Sequence, residues 1–149
     1  MERPANQRRS IVFLCVHNAG RSQMAAGWAR SLGRGHVEIF SGGSDPADEV
    51  NPSAVAAMAE VGIDIADELP KHWTDDAIRT ADVVVTMGCG DACPIFPGTS
   101  YEDWEVADPA GLGVDEVRPI RADLERRVRR LLEELSVPIP GDPAGDPAG

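Results

Sequence analysis

Cys15 and Arg21 flank a five-residue segment, Val16-His17-Asn18-Ala19-Gly20, and Ser22 follows directly. A thiol and a guanidinium at this spacing would suit the chemistry of a tetrahedral oxyanion. If the segment curls around its own centre, the amides of Val16, His17, Asn18, Ala19, Gly20, Arg21 and Ser22 converge on one point. Arg21 would then grip two oxygens in a bidentate fork. The same field favours a thiolate at Cys15, the nucleophilic form of the side chain. Ser22 is placed to donate a hydrogen bond to that sulfur, Asn18 to lock the curl, and Gly20 to take backbone angles that other residues avoid. The bland alternative makes Cys15 the last core residue of a strand and Arg21 a surface charge. Cys-x5-Arg alone does not separate the two; its setting does.

The setting is strand, tight loop, helix. Ile11, Val12, Phe13 and Leu14 form a continuous apolar run, as in a strand buried on both faces. From Arg21 the period changes to four: Met24, Trp28 and Leu32 recur on one face, and Gly33 sits where a helix C-cap belongs. Val37–Phe40 is a second strand candidate. Asn51-Pro52 opens a helix with a capping residue and a proline at the first position, and Gly62 closes it. A short helix at Thr74–Arg79, capped by Thr74, precedes the β-branched run Val83-Val84-Val85. A loop spans Gly88–Gly98, and a last helix runs from about Asp115 to Leu135, with Pro119 placed in its first turn. Strands alternating with helices predict an α/β fold, one parallel sheet with helices on both faces. Ligands of such folds bind at the carboxyl ends of the strands, where the Cys15 loop lies.

Length and composition predict one domain, residues 10–137, between a flexible leader (1–9) and a disordered, duplicated Gly-Asp-Pro-Ala tail (138–149). No membrane span or secretory signal is recognisable, so the reading is cytoplasmic. The formal net charge of -11 argues against nucleic-acid binding. It also means that an anion site here must rest on a local field stronger than the global one. Three cysteines, Cys15, Cys89 and Cys93, do not make a structural disulfide framework in a reducing compartment.

The segment Val12-Phe13-Leu14-Cys15-Val16-His17-Asn18-Ala19-Gly20-Arg21-Ser22-Gln23-Met24-Ala25 closely resembles the signature of arsenate reductases built on the low-molecular-weight tyrosine phosphatase fold. The likeness continues through Ser41-Gly42-Gly43, Asn51-Pro52, Gly62-Ile63-Asp64-Ile65, Val84-Val85-Thr86-Met87 and Asp108-Pro109-Ala110-Gly111, and so covers Ser10 to Leu135. The resemblance implies Cys15 as the nucleophile toward arsenate, Arg21 and the loop amides as its holders, and Asp108 as the acid that protonates the departing oxygen. Without that pattern Asp108 reads as a turn residue before Pro109.

The resemblance covers phosphatases and reductases alike. A phosphatase has no use for further thiols and commonly carries aromatic residues after its Asp-Pro acid. Here Ala110 and Gly111 follow, and Cys89 and Cys93 sit where the reductases place their redox pair. In the thioredoxin-coupled branch Cys89 would resolve the Cys15–arsenic adduct and Cys93 would pass the disulfide on, for thioredoxin to reduce. Only three residues separate Cys89 from Cys93, a shorter loop than that branch usually has, so mycothiol with mycoredoxin is the alternative reductant. No bound cofactor is expected. Ala26 stands where many relatives have a cation-binding glutamate, and no cation site is predicted.

The remaining candidates have plainer readings. Cys89 and Cys93 lack the further ligands of recognisable spacing that zinc needs, and His17, His36 and His72 read as surface or loop residues. Trp28 and Trp73 read as core fillers, and Trp104 either as core or as a wall of the site. Arg126, Arg127, Arg129 and Arg130 read as a solvated helix face. A non-catalytic oxyanion-binding module is the alternative from a different class, set against the completeness of nucleophile, arginine and acid.

Overall fold

The apolar run before the loop lies in β1 (Arg9–Cys15), the strand around which a computed structural model describing residues 8–88 and 95–139 is organised. The other elements are α1 (Arg21–Leu32), β2 (Val37–Gly43), α2 (Pro52–Ala59), α3 (Asp75–Thr80), β3 (Val83–Thr86), β4 (Tyr101–Asp103) and α4 (Val114–Glu134). The strands form one parallel sheet in the order β2-β1-β3-β4. Alternate residues of β1 serve opposite faces, as the two-residue strand period requires. Ile11, Phe13 and Cys15 join a large core with α1, α2 and α4, whereas Val12 and Leu14 join a smaller one with Ile78 of α3 and Val84 of β3.

Each helix expected from the sequence is present. Asn51 Oδ1 caps α2 by accepting from the amides of Ser53 (2.8 Å) and Ala54 (3.2 Å), and Thr74 Oγ1 caps α3 by accepting from Ala77 N–H (3.2 Å). Several boundaries differ. β1 takes in Arg9, which pairs with Val37, and β2 continues past Phe40 through Ser41-Gly42-Gly43. α4 begins at Val114, so Pro119 is its sixth residue rather than part of the first turn, and its missing N–H forfeits the bond to the Asp115 carbonyl. Val137 and Ile139 are buried in the large core, so packing runs past the expected start of the tail. The three-residue β4 has no counterpart in the sequence reading: Tyr101-Glu102-Asp103 is neither apolar nor alternating. No helix among the described residues is long and apolar enough to cross a membrane.

The parallel register places the strand ends side by side. Cys15 pairs with Gly43, Leu14 with Thr86, and Thr86 with Asp103. The chain leaves β1 for β2 on one side and later returns to β3 on the other. The loop after Cys15 therefore emerges where the strand order reverses, the position at which open α/β sheets bind ligands.

Candidate active site

Backbone hydrogen bonding turns the loop after Cys15 into a cradle. The carbonyls of Cys15, Val16, His17 and Ala19 accept from the amides of Ser44 (3.3 Å), Asp45 (2.8 Å), Ala47 (3.0 Å) and Asn51 (2.8 Å), and Gly20 C=O accepts from Met24 N–H (2.9 Å). No peptide is cis. In a trans peptide the C=O and the following N–H point in opposite directions. The amides of Val16, His17, Asn18 and Gly20 are thereby turned away from the 44–51 strap, toward the concave side, and that of Arg21 points back out of the start of α1. Asn18 N–H lies 3.3 Å from Cys15 Sγ. Gly20, the N-cap of α1, has no side chain to satisfy the amides of the first turn, so the positive end of that twelve-residue helix opens onto the same space.

The curl demands an unusual backbone. Asn18 is wholly buried at φ 50, a conformation that Asn tolerates better than most residues. Its side chain fixes the loop from inside: Nδ2 donates to Ser22 Oγ (2.7 Å), while Oδ1 accepts from Lys71 N–H (3.0 Å) and Gln23 Nε2 (3.1 Å). Ser22 Oγ in turn stands 2.9 Å from Cys15 Sγ. β2 can approach only because its end has no side chains. A Cβ on Gly43 would stand 2.5 Å from Val16 O, and one on Gly42 2.7 Å from Trp73 N. Burial pushes the Lys71 ammonium below the usual lysine range, against the opposing pull of Glu68. Its Nζ donates to Ser41 Oγ (3.1 Å).

Arg21 and Asp108 complete the rim. Arg21 Nη1 donates to Val106 O (3.4 Å), and its Nη2 stands 3.6 Å from Asp108 Oδ2. Gly88, at φ +90, makes room for the guanidinium, since a Cβ there would lie 2.8 Å from Nη1. Asp108 Oδ1 accepts from Ala110 N–H (3.0 Å), which shapes the Asp-Pro turn. Asn51 ties this turn to the cradle: its N–H bonds Ala19 O and its Nδ2 donates to Pro109 O (3.2 Å). Cys15, His17, Ala19, Gly20, Arg21, Asn51, Asp108 and Ala110 enclose a cavity of about 40 Å³, room for a few non-hydrogen atoms. A groove of about 520 Å³ continues from Arg21 along Gly88 and residues 103–107. Such an arrangement can hold a small oxyanion against a thiol with an acid beside it.

The structure thus gathers Cys15, Val16–Ser22 and Asp108 in one place, and Trp104 is a buried wall of the adjoining groove, packed on Phe13 (5.9 Å). Cys89 and Cys93 lie outside the described residues. The ring of His17 turns to Asp45 O (3.0 Å). Arg126, Arg127, Arg129 and Arg130 make ion pairs along α4, but Arg127 also donates to Glu105 O (3.0 Å) and stands over Trp104 (5.9 Å), so it packs rather than only facing solvent. Sequence reasoning missed the supports: Gly43, Lys71, Gln23 and the second role of Asn51. A glycine pair closing a strand was the one available signal, because it marks close backbone approach.

Comparison with known proteins points the same way. The family model for low molecular weight phosphotyrosine protein phosphatase matches residues 10–138. A glutaredoxin arsenate reductase of Synechocystis is 35% identical over 86% of this chain and 99% of its own length. Arsenate reductase 2 of Staphylococcus epidermidis is 37% identical over 81% and 94%. The solved structure of a thioredoxin-dependent arsenate reductase of Corynebacterium glutamicum is similar at a TM-score of 0.74 and 40% identity, covering 87% of this chain and 62% of that one.

Proposed function

This chain belongs to the low molecular weight phosphotyrosine protein phosphatase family, and on that footing we propose that it is an arsenate reductase in which Cys15 is the nucleophile. The observation that carries the reading is the cradle itself: a sulfur that meets Asn18 N–H at 3.3 Å and Ser22 Oγ at 2.9 Å, in a small cavity shared with Arg21 and Asp108. Its size suits a tetrahedral oxyanion. The inward amides, the open start of α1 and the Arg21 fork supply the local positive field that a chain of net charge -11 needs in order to hold an anion.

In the proposed sequence the Cys15 thiolate attacks arsenic and forms a sulfur–arsenic bond. Asp108 gives its proton to the departing oxygen, which leaves as water. A thiolate, Cys89 in this reading, then attacks Cys15 Sγ. The sulfur–arsenic bond breaks, its electron pair stays on arsenic, and arsenite leaves with As(V) reduced to As(III). Two thiols have become one disulfide, so the electrons balance. Cys93 attacks Cys89 to free Cys15, and the dithiol of thioredoxin reduces the Cys89–Cys93 disulfide. The family's other activity, phosphate-ester hydrolysis, fits less well. Ala110 and Gly111 follow the acid where a substrate ring would stack, and the hydroxyl of Tyr101 is taken up by Phe96 N–H (2.9 Å).

The test is arsenate-dependent oxidation of two reducing systems, thioredoxin with its reductase and mycothiol with mycoredoxin, by the native chain and by Cys15→Ser, Cys89→Ser and Cys93→Ser. The expected result is turnover with thioredoxin that each substitution abolishes. Full activity of both Cys89→Ser and Cys93→Ser with mycothiol and mycoredoxin would replace the internal relay by an external thiol. Phenyl phosphate hydrolysis without arsenate-dependent oxidation would make the chain a phosphatase.

A further inference from the structure

Two backbone groups that can each play only one part decide the direction of the hydrogen bonds leading to the Cys15 sulfur. Lys71 N–H can only donate, and it meets Asn18 Oδ1 at 3.0 Å. The other arm of that amide, Nδ2, is therefore the one that faces Ser22 Oγ at 2.7 Å. Leu69 C=O can only accept, and it lies 3.5 Å from Gln23 Nε2. Gln23 thus presents the same NH2 group to Asn18 Oδ1 at 3.1 Å. Ser22 Oγ accepts a hydrogen bond from Asn18 Nδ2, which leaves its own hydroxyl proton to point at Cys15 Sγ, 2.9 Å away. One N–H of Gln23, then Asn18 Nδ2 and Ser22 Oγ, donate in succession toward the sulfur, while the other N–H of Gln23 faces Leu69 O.

Gln23 occupies its place at a cost. It lies on the inner face of α1, wholly buried, and its Oε1 has no hydrogen-bond partner among the described residues. An orphaned buried acceptor is destabilising, and a methionine of similar volume would fill the site without it. What methionine could not supply is the NH2 group that meets Asn18.

We propose that Gln23 is a positioning residue for Cys15: together with Lys71 N–H it holds Asn18 with its oxygen turned inward, which makes Ser22 a donor to the sulfur and so keeps the sulfur in the acceptor role of a thiolate. This rests on Cys15 being the nucleophile of the reaction above. Among the described residues, the other charged or titratable groups around the sulfur, His17, Arg21 and Asp108 on the cavity wall and Lys71 behind Asn18, are left in place by the variants that follow.

The experiment follows the pH dependence of iodoacetamide alkylation of Cys15 in the reduced full chain, read on the Cys15 peptide by mass spectrometry so that Cys89 and Cys93 do not contribute. Gln23→Glu sets an oxygen against Asn18 Oδ1. A carboxylate that accepts from the turned Asn18 NH2 outweighs the neutral bond lost from Lys71 N–H. Asn18 therefore turns over, Ser22 donates to Asn18 instead of to sulfur, and the half-reaction pH rises by about one unit, roughly a tenfold loss of thiolate at lower pH. Gln23→Met, neutral and of similar volume, moves it in the same direction by less. In a Ser22→Ala background neither substitution moves it further, because the relay has already been cut. A profile unmoved by either variant overturns the proposal. So does a Gln23→Glu shift of equal size with and without Ser22, which would be the mark of a charge acting through space. Either folded Gln23 variant suffices for the comparison. Alkylation needs no arsenate: an unmoved profile defeats this proposal alone, while a moved profile without arsenate reduction defeats the functional reading alone.

Discussion

Arg21 and Asp108 face each other across the rim of the cavity, Nη2 to Oδ2 at 3.6 Å, so the residue assigned to grip the oxyanion also holds the residue assigned to protonate it. Asp108→Asn keeps an oxygen to accept from Ala110 N–H and leaves the turn intact, but it has no acidic proton to give. The expected outcome is a fall in arsenate turnover of roughly 10²–10⁴-fold. Arsenate affinity should be unchanged or tighter, because the carboxylate no longer competes for Arg21. Steady-state oxidation of the reductant under saturating arsenate measures the first, and calorimetric titration the second.

Arg21→Lys replaces the planar fork by a point charge and loses the reach to Val106 O. Hydrogen bonds to charged groups contribute about 1.5–3 kcal/mol, so arsenate affinity should fall roughly ten- to hundredfold while the melting temperature stays close to that of the native chain. Titration of the two proteins side by side measures this.

Two glycines should fail in different ways. Gly43→Ala drives a methyl group into Val16 O and Asn18 N, both backbone atoms of the cradle, and should cost about 1–3 kcal/mol of stability together with arsenate binding. Gly88→Ala meets the far end of the Arg21 side chain; apart from strain of about 1–2 kcal/mol at its positive φ, its effect should fall on affinity. Thermal melts with arsenate titrations separate the two.

The contrast shows what the sequence could convey. The placement of Cys15, Arg21 and Asn18 in one loop was legible because a thiol at a strand end, an arginine at a helix start and an amide between them each leave a local signature. The cap formed by Asn51 was legible for the same reason. Its grip on Ala19 and Pro109, the backing of Asn18 by Lys71, and the close approach of Gly43 join positions far apart in the chain. No periodicity encodes such contacts. β4 escaped because three polar residues gain their strand character only from pairing with β3.

Asn51 therefore has a separable second role. Asn51→Asp keeps the oxygen that caps α2 but loses the donor to Pro109 O and brings a negative charge to the cavity wall. Arsenate turnover should drop at least tenfold with little change in stability. Asn51→Ala should cost a further ~1 kcal/mol of stability from the lost cap. Chemical denaturation alongside turnover distinguishes these outcomes.

Away from the site, Glu60 at the end of α2 bonds Arg118 (2.6 Å) and Arg121 (2.8 Å) of α4, and the two guanidinium groups hold its carboxyl down at about 2. A carboxyl lowered on folding contributes stability above its unfolded value of 4.5 and loses it as pH falls toward about 2. Glu60→Gln should melt below the native chain at neutral pH, and the difference should close across that acidic window. Melting curves at stepped pH check this; a gap independent of pH would contradict it.

The most direct test of the cradle is an amide NMR titration with inorganic arsenate of the Cys15→Ser protein, which lacks the proposed nucleophile. Saturable one-site shifts of the Val16–Ser22 amides, lost in the Cys15→Ser/Arg21→Ala double variant, are the result predicted here. Resonances of that segment that stay still while arsenate is added, or shifts that persist without Arg21, would contradict the account.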